Sequence, residues 1–168
     1  MIQMLKNMLF VCAFIFSLTG QAIAVRLSDA EDAFDAGDYE KAAMIFRSLA
    51  EKGDSEAQIN LGMMYYRGQG VPQDYLEAVT WYRLAAKQGN PFAQLDLGMM
   101  FENGQGVLQD NTQAYKWLTI AITKATDGEL KKMAASHRHS IEKKMTADQI
   151  AEARQLAKKC TANKFKGC

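Results

Sequence analysis

From Ala57 onward the apolar positions recur at intervals of three and four, with Ala57, Leu61 and Tyr65 forming one stripe, so the spacing predicts a helix over about Glu56–Arg67. Gly68 and Gly70 follow, supplying the backbone freedom for a left-handed cap, and Pro72 forbids continuation. Asp74 is an N-cap for a second helix, in which Ala78, Trp81, Tyr82 and Ala85 sit at helical spacing until Gly89 ends it. The chain then repeats itself: shifted by thirty-six positions, fifteen of the thirty-six residues in Asp54–Gly89 recur in Asn90–Ala125. A fixed period in this range is the signature of stacked helical units. Gly62 recurs as Gly98 inside the first helix, where Gly costs about 1 kcal/mol relative to Ala, so another helix is expected to approach there. Trp81 and Trp117 are the expected partners across that contact.

Val25–Gly53 reads as a degenerate first unit, with a helix over about Leu27–Ala36 and a second one opened by Gly37, Asp38 and Tyr39 and carrying Ala42, Ala43, Phe46 and Ala50. Asp29, Glu31, Asp32 and Asp35 read as the solvated face of a terminal unit, since a calcium loop needs closer oxygen spacing and a Gly turn. After Asp127 the repeat stops. Glu129–Met145 is expected to be helical, with Leu130, Met133, Ala134, His137 and Ile141 on one side. Thr146 then caps a last helix whose apolar face is Ile150, Ala153, Leu156 and Ala157.

The motif of Ala57–Gly89, with Ala, Leu-Gly, Tyr, Gly-x-Gly-Val, Asp, Ala, Trp, Ala-Ala and Gly in register, resembles the Sel-1-like repeat family, a tetratricopeptide-like class. The second copy departs at Phe101, Leu108, Ile122 and Ala125. The resemblance implies an all-α, right-handed solenoid of antiparallel helix pairs closed by a C-terminal capping helix pair. The expected divisions are 1–24 a signal peptide, 25–53 a degenerate repeat, 54–89 and 90–125 two full repeats, and 126–168 the cap and tail.

Composition changes the picture at both ends. Lys6, the apolar run Met8–Leu18 and the small-x-small sequence Ala22-Ile23-Ala24 read as a secretory signal cut after Ala24, so the expected location is periplasmic or secreted. Cys12 is a poor lipidation site, because Val11 before it is not small. Of 20 Lys and Arg, the signal removes Lys6, leaving 19 against 19 Asp and Glu, so no general pull on nucleic acid or anionic membrane is indicated. Cys160 and Cys168, eight residues apart, favour a disulfide in an oxidising compartment, with free thiols or an intermolecular bridge as the alternatives.

Chemistry is sparse. His137 and His139 point about 200° apart on a helix and cannot share a metal, so a partly packed His137 and an exposed His139 are expected. Ser140 and Lys143 fit the S-x-x-K spacing of serine β-lactamases, but no S-D-N or K-T-G element follows. The Gly68-Gln69-Gly70 corner is not followed by G-K-[S/T] and is no phosphate loop, while Met63-Met64 and Met99-Met100 suit core and groove packing better than a soft metal. The expectation is therefore a monomeric, non-catalytic, exported scaffold without cofactor or metal. Its protein or peptide partner would lie on the concave face at Asn60, Met63, Arg67, Asp96, Met99 and Asn103. The alternatives are a β-lactam or peptidoglycan hydrolase, as the resemblance to Cys-rich members would imply, and an immunity protein to a secreted toxin. The Cys-rich members carry a Cys pair in every repeat, and the repeats here carry none.

Overall fold

The computed structural model describes residues 27–168, so the signal-like segment with Cys12 and the expected cut after Ala24 lies outside the described residues. Among these are eight helices and no strand: α1 (27–35), α2 (Tyr39–Ala50), α3 (Ser55–Arg67), α4 (Tyr75–Lys87), α5 (Pro91–Asn103), α6 (Asn111–Lys124), α7 (Gly128–Glu142) and α8 (Ala147–Ala162). The fold is an all-α solenoid in which α2 to α7 pack one on the next, while α8 packs on α6. Caps recur with the period: Asp54 and Asn90 open α3 and α5, Asp74 and Asp110 open α4 and α6, each side chain accepting from backbone N–H groups one turn on. Gly68 and Gly104 end α3 and α5 in the left-handed region, at φ 70° and 67°. Ala125, standing where Gly89 stood, ends α6 with extended backbone instead.

Two glycine contacts set how the helices lie. A Cβ on Gly62 would come within 2.9 Å of the Tyr82 ring, and one on Gly98 within 2.8 Å of Leu118, so each glycine admits the facing side chain of its own helix pair. These partners are Tyr82 and Leu118 instead of the expected Trp81 and Trp117. One residue earlier on a helix is a rotation of about 100°. Trp81 accordingly joins the cluster of Phe46, Leu61 and Met64, and Trp117 that of Tyr82, Leu97 and Met100, each cluster spanning its own unit and the preceding one. The second contact joins units. A Cβ on Gly70 would lie 2.1 Å from the Tyr39 carbonyl oxygen, and one on Gly106 2.2 Å from that of Tyr75, so each corner rests directly on the backbone that starts the preceding unit's second helix.

At the C-terminal end α7 occupies the place of a further first helix, packing on α6 and touching α5. Its helix stops at Glu142, short of the expected Met145. Leu130, Ala134 and Ile141 are buried, but Met133 is 47% exposed, because it lies about 60° round the helix from Leu130, on the far side from Ala134. A capping box between Thr146 and Gln149 opens α8. This helix packs on α6 more than on α7 and sends Ala157 and Cys160 into the core shared by α4, α5 and α6. A Cys160–Cys168 disulfide closes the tail. Within it Lys164 and Phe165 adopt left-handed backbone, at φ 50° and 62°, and the Phe165 ring reaches the Gly89 turn, where a Cβ would come within 3.1 Å of it.

Gly70→Ala and Gly106→Ala combine left-handed strain with a backbone clash, whereas Gly37, at φ 80°, has nothing within 4 Å of its Cβ position. Urea denaturation should show a loss of about 1–2 kcal/mol for Gly37→Ala and clearly more for either corner glycine; equal losses would contradict the contact. Reducing the disulfide should cost about 2–3 kcal/mol, the chain entropy of a loop this short, read as a lower midpoint in dithiothreitol that Cys160→Ser/Cys168→Ser reproduces without reductant.

Candidate functional site

Consecutive units leave a cleft between their first helices. The cleft of about 220 Å³ between α3 and α5 is lined by Met63, Tyr66 and Arg67 from α3, Tyr82 from α4, Asp96, Met99 and Met100 from α5, and Gln105 from the corner beyond. Gly62 is what lets Tyr82 sit at its floor. The Tyr66 hydroxyl donates to Gln105 Oε1 at 3.3 Å, tying one wall to the next corner. Met64 and Met100 are buried, while Met63 and Met99 are half-buried and present thioethers to the cleft.

Asp96 is the electrostatic centre. Burial pushes its carboxyl up from 3.8 to about 6, against the pull of the Arg67 guanidinium, and its side chain accepts no hydrogen bond from the described residues. Burial also raises the Tyr82 phenol well above its usual value, with the Asp96 charge adding to the effect and Arg67 opposing it. The cleft thus offers carboxylate oxygens on one wall and guanidinium donors nearby, framed by two tyrosines and three methionines.

Of the six residues expected to share one face, the structure brings together Met63, Arg67, Asp96 and Met99. Asn60 does not join them; it lines the depression between α1 and α3, with Glu31, Phe34 and Asp35. Asn103 is exposed beyond the cleft. The reason is the repeat itself. Asn60 is the counterpart of Asp96 one unit earlier, and Asn103 that of Arg67 one unit later, so neither falls at the cleft between α3 and α5. Tyr66, Tyr82 and Gln105 were missed, although the close approach at Gly62 was the signal that a ring stands there.

The other candidates are dispersed. His137 is half-buried and its Nδ1 lies 2.8 Å from Glu102 Oε2, joining α7 to α5, while His139 is exposed. Ser140 and Lys143 are both exposed. Among the described residues no group of three or more His, Cys, Asp or Glu could hold a metal. Lys116, unremarked in the sequence, is buried: its Nζ donates to Gln113 Oε1 at 2.5 Å and stands 4.5 Å over the Trp117 ring. Burial, then Arg83, push its ammonium down to about 8, with Asp110 opposing.

Comparison with known proteins agrees with the repeat fold. The family model of the Sel1 repeat matches residues 35–54, 55–90 and 91–125. A crystal structure of c5321, a protective antigen of uropathogenic Escherichia coli strains displaying an SLR fold, superimposes with a TM-score of 0.76 at 31% identity, over 85% of this chain and 31% of that one. The chain therefore spans about a third of the length of that antigen. A Sel1 repeat protein from Oxalobacter formigenes superimposes with a TM-score of 0.59 at 30% identity, over 68% of this chain and 88% of that one. No curated protein sequence matches.

Because the folded chain holds Asp96 more tightly protonated than the unfolded one, its contribution to stability is greatest below about pH 4 and is lost as pH rises through about 6. Asp96→Asn should therefore stabilise the protein at pH 7, by up to about 3 kcal/mol, and should change little at pH 3.5. Thermal melts of both proteins at the two pH values check this, and a variant no more stable at pH 7 would contradict it.

Proposed function

Because the chain belongs to the Sel1 repeat family, whose helical arrays generally mediate protein–protein interaction and are generally non-catalytic, we propose that it is an exported binding module that holds a protein or peptide partner in the cleft between α3 and α5. The observation that carries this reading is Asp96, a half-buried carboxylate without a hydrogen-bond partner among the described residues, facing a cleft that also contains Arg67. A buried charge left unpaired costs stability, and a partner that supplies donors removes that cost. An extended peptide presents N–H and C=O groups in succession. Asp96 accepts from the first, Arg67 donates to the second, and Met63 and Met99 adapt to the side chains between them.

Export is supported by the sequence of the first 24 residues and by the Cys160–Cys168 disulfide, which suits an oxidising compartment. No helix among the described residues is long and apolar enough to cross a membrane. The module acts as a monomer and without catalysis, and the exposed, solvated setting of Ser140 and Lys143 supports the second point.

Affinity capture from envelope and culture-supernatant fractions, followed by titration of the captured partner, tests the proposal. Arg67→Glu and Asp96→Arg should each weaken binding at least tenfold, and binding by the unmodified protein should decline as pH falls below about 6 and Asp96 takes up its proton. Undiminished capture by both variants would remove the cleft as the site.

A further inference from the structure

A second cavity lies apart from that cleft, at the junction of α6, α7 and α8. It measures about 400 Å³, within the range of small-molecule sites. Tyr115, Ile120 and Ala157, all buried, form its floor, and Arg138 from α7 with Arg154 and Lys158 from α8 bring three cations to it. No carboxylate lines it. The two guanidiniums converge on one ring, standing 5.6 Å and 6.0 Å from the centre of Tyr115. Arg154 Nε donates to the Tyr115 hydroxyl at 3.2 Å, and its Nη2 reaches Glu142 Oε1 at 3.5 Å. Arg138 makes no side-chain hydrogen bond to the described residues, so its donors are unspent.

The hydroxyls sharpen the chemistry. Thr123 and Thr161 give their single protons to backbone carbonyls of Thr119 and Ala157. Thr119 does not: the residue lines the cavity, while its Oγ1 is shielded from solvent and has no hydrogen-bond partner. The Tyr115 hydroxyl accepts from Arg154, and its own proton has no acceptor among the described residues. Free donors and converging positive charge above an apolar floor call for a ligand with oxygen acceptors, negative charge and a hydrophobic part.

We propose that this cavity binds an oxyanion, a phosphate, sulfonate or carboxylate, carried on a compact apolar group. Arg138, Arg154, Thr119 and Tyr115 engage the oxygens, and Ile120 and Ala157 pack the apolar part. The same chemistry is offered by a free small molecule and by an anionic lipid headgroup.

Calorimetric titration of the purified protein with phenyl phosphate, with phenol as the uncharged control, tests it. Vesicles of phosphatidylcholine with and without phosphatidylglycerol form the second arm. Phenyl phosphate should bind saturably and more weakly as salt rises, with phenol showing no comparable binding. Arg138→Gln and Thr119→Val should each weaken it about tenfold, with melting temperatures recorded in parallel so that loss of fold is not read as loss of binding. Binding to phosphatidylglycerol vesicles that phenyl phosphate displaces assigns the oxyanion to a lipid; binding of phenyl phosphate without vesicle binding assigns it to a soluble ligand. Failure of both phenyl phosphate and anionic vesicles to bind, equal binding of phenol, or affinities unmoved in folded Arg138→Gln and Thr119→Val would overturn the proposal.

Discussion

The contact on which the structure depends is backbone on backbone: the glycine corner after each full repeat's first helix, resting on the start of the preceding unit's second helix. At Gly70 on Tyr39 and Gly106 on Tyr75 there is no room for a single added carbon. Side chains can repack to tolerate shifts, but two backbones at this separation fix the position of one unit on the next. A pair of buried glutamines makes the join directional. Gln58 Nε2 donates to the Ala50 carbonyl at 3.0 Å and Gln94 Nε2 to that of Ala86 at 3.1 Å, each engaging a carbonyl in the last turn of the preceding unit's second helix.

The cleft between α3 and α5 follows from that fixed spacing, and so does the cost of what lies in it. The backbone contact holds the walls apart at a set distance, and the Gly62–Tyr82 approach sets the depth. Asp96 then sits where burial disfavours its charge. A chain selected only for stability would place an apolar side chain there, as the buried Leu97 and Met100 show for the adjoining turn. The unpaired carboxylate is thus an expense of the folded state.

Much of this was legible from residues whose role is local. The period, the capping Asp and Asn side chains, and the Gly turns act over one or two helical turns, and the sequence states them directly. The tail bridge was legible for the same reason, because eight residues separate its cysteines. What resisted reading depends on rotation and on distant segments. Trp81 and Tyr82 are adjacent in the sequence, Tyr82 holds the position facing Gly62, and only the phase of the helix decides between them. Asn60 and Asn103 were grouped with Asp96 and Arg67 because a periodic sequence cannot say which gap a residue faces. Lys116 gave no signal at all. It is enclosed with the tail residues of α8, and Thr80, its counterpart one repeat earlier, is exposed.

The way the tail ring meets the Gly89 turn limits how such an array could lengthen in evolution. A tandem copy of residues 90–125 would leave α7 and α8 lying on an identical α6, but it would set Ala125, which ends its helix with extended backbone, where the Phe165 ring now meets Gly89. Duplication at the Gly89–Asn90 boundary keeps every interface in kind, since the new copy brings its own closing glycine for the tail ring to meet. The closing glycine of the penultimate unit is therefore what ties the tail to the array.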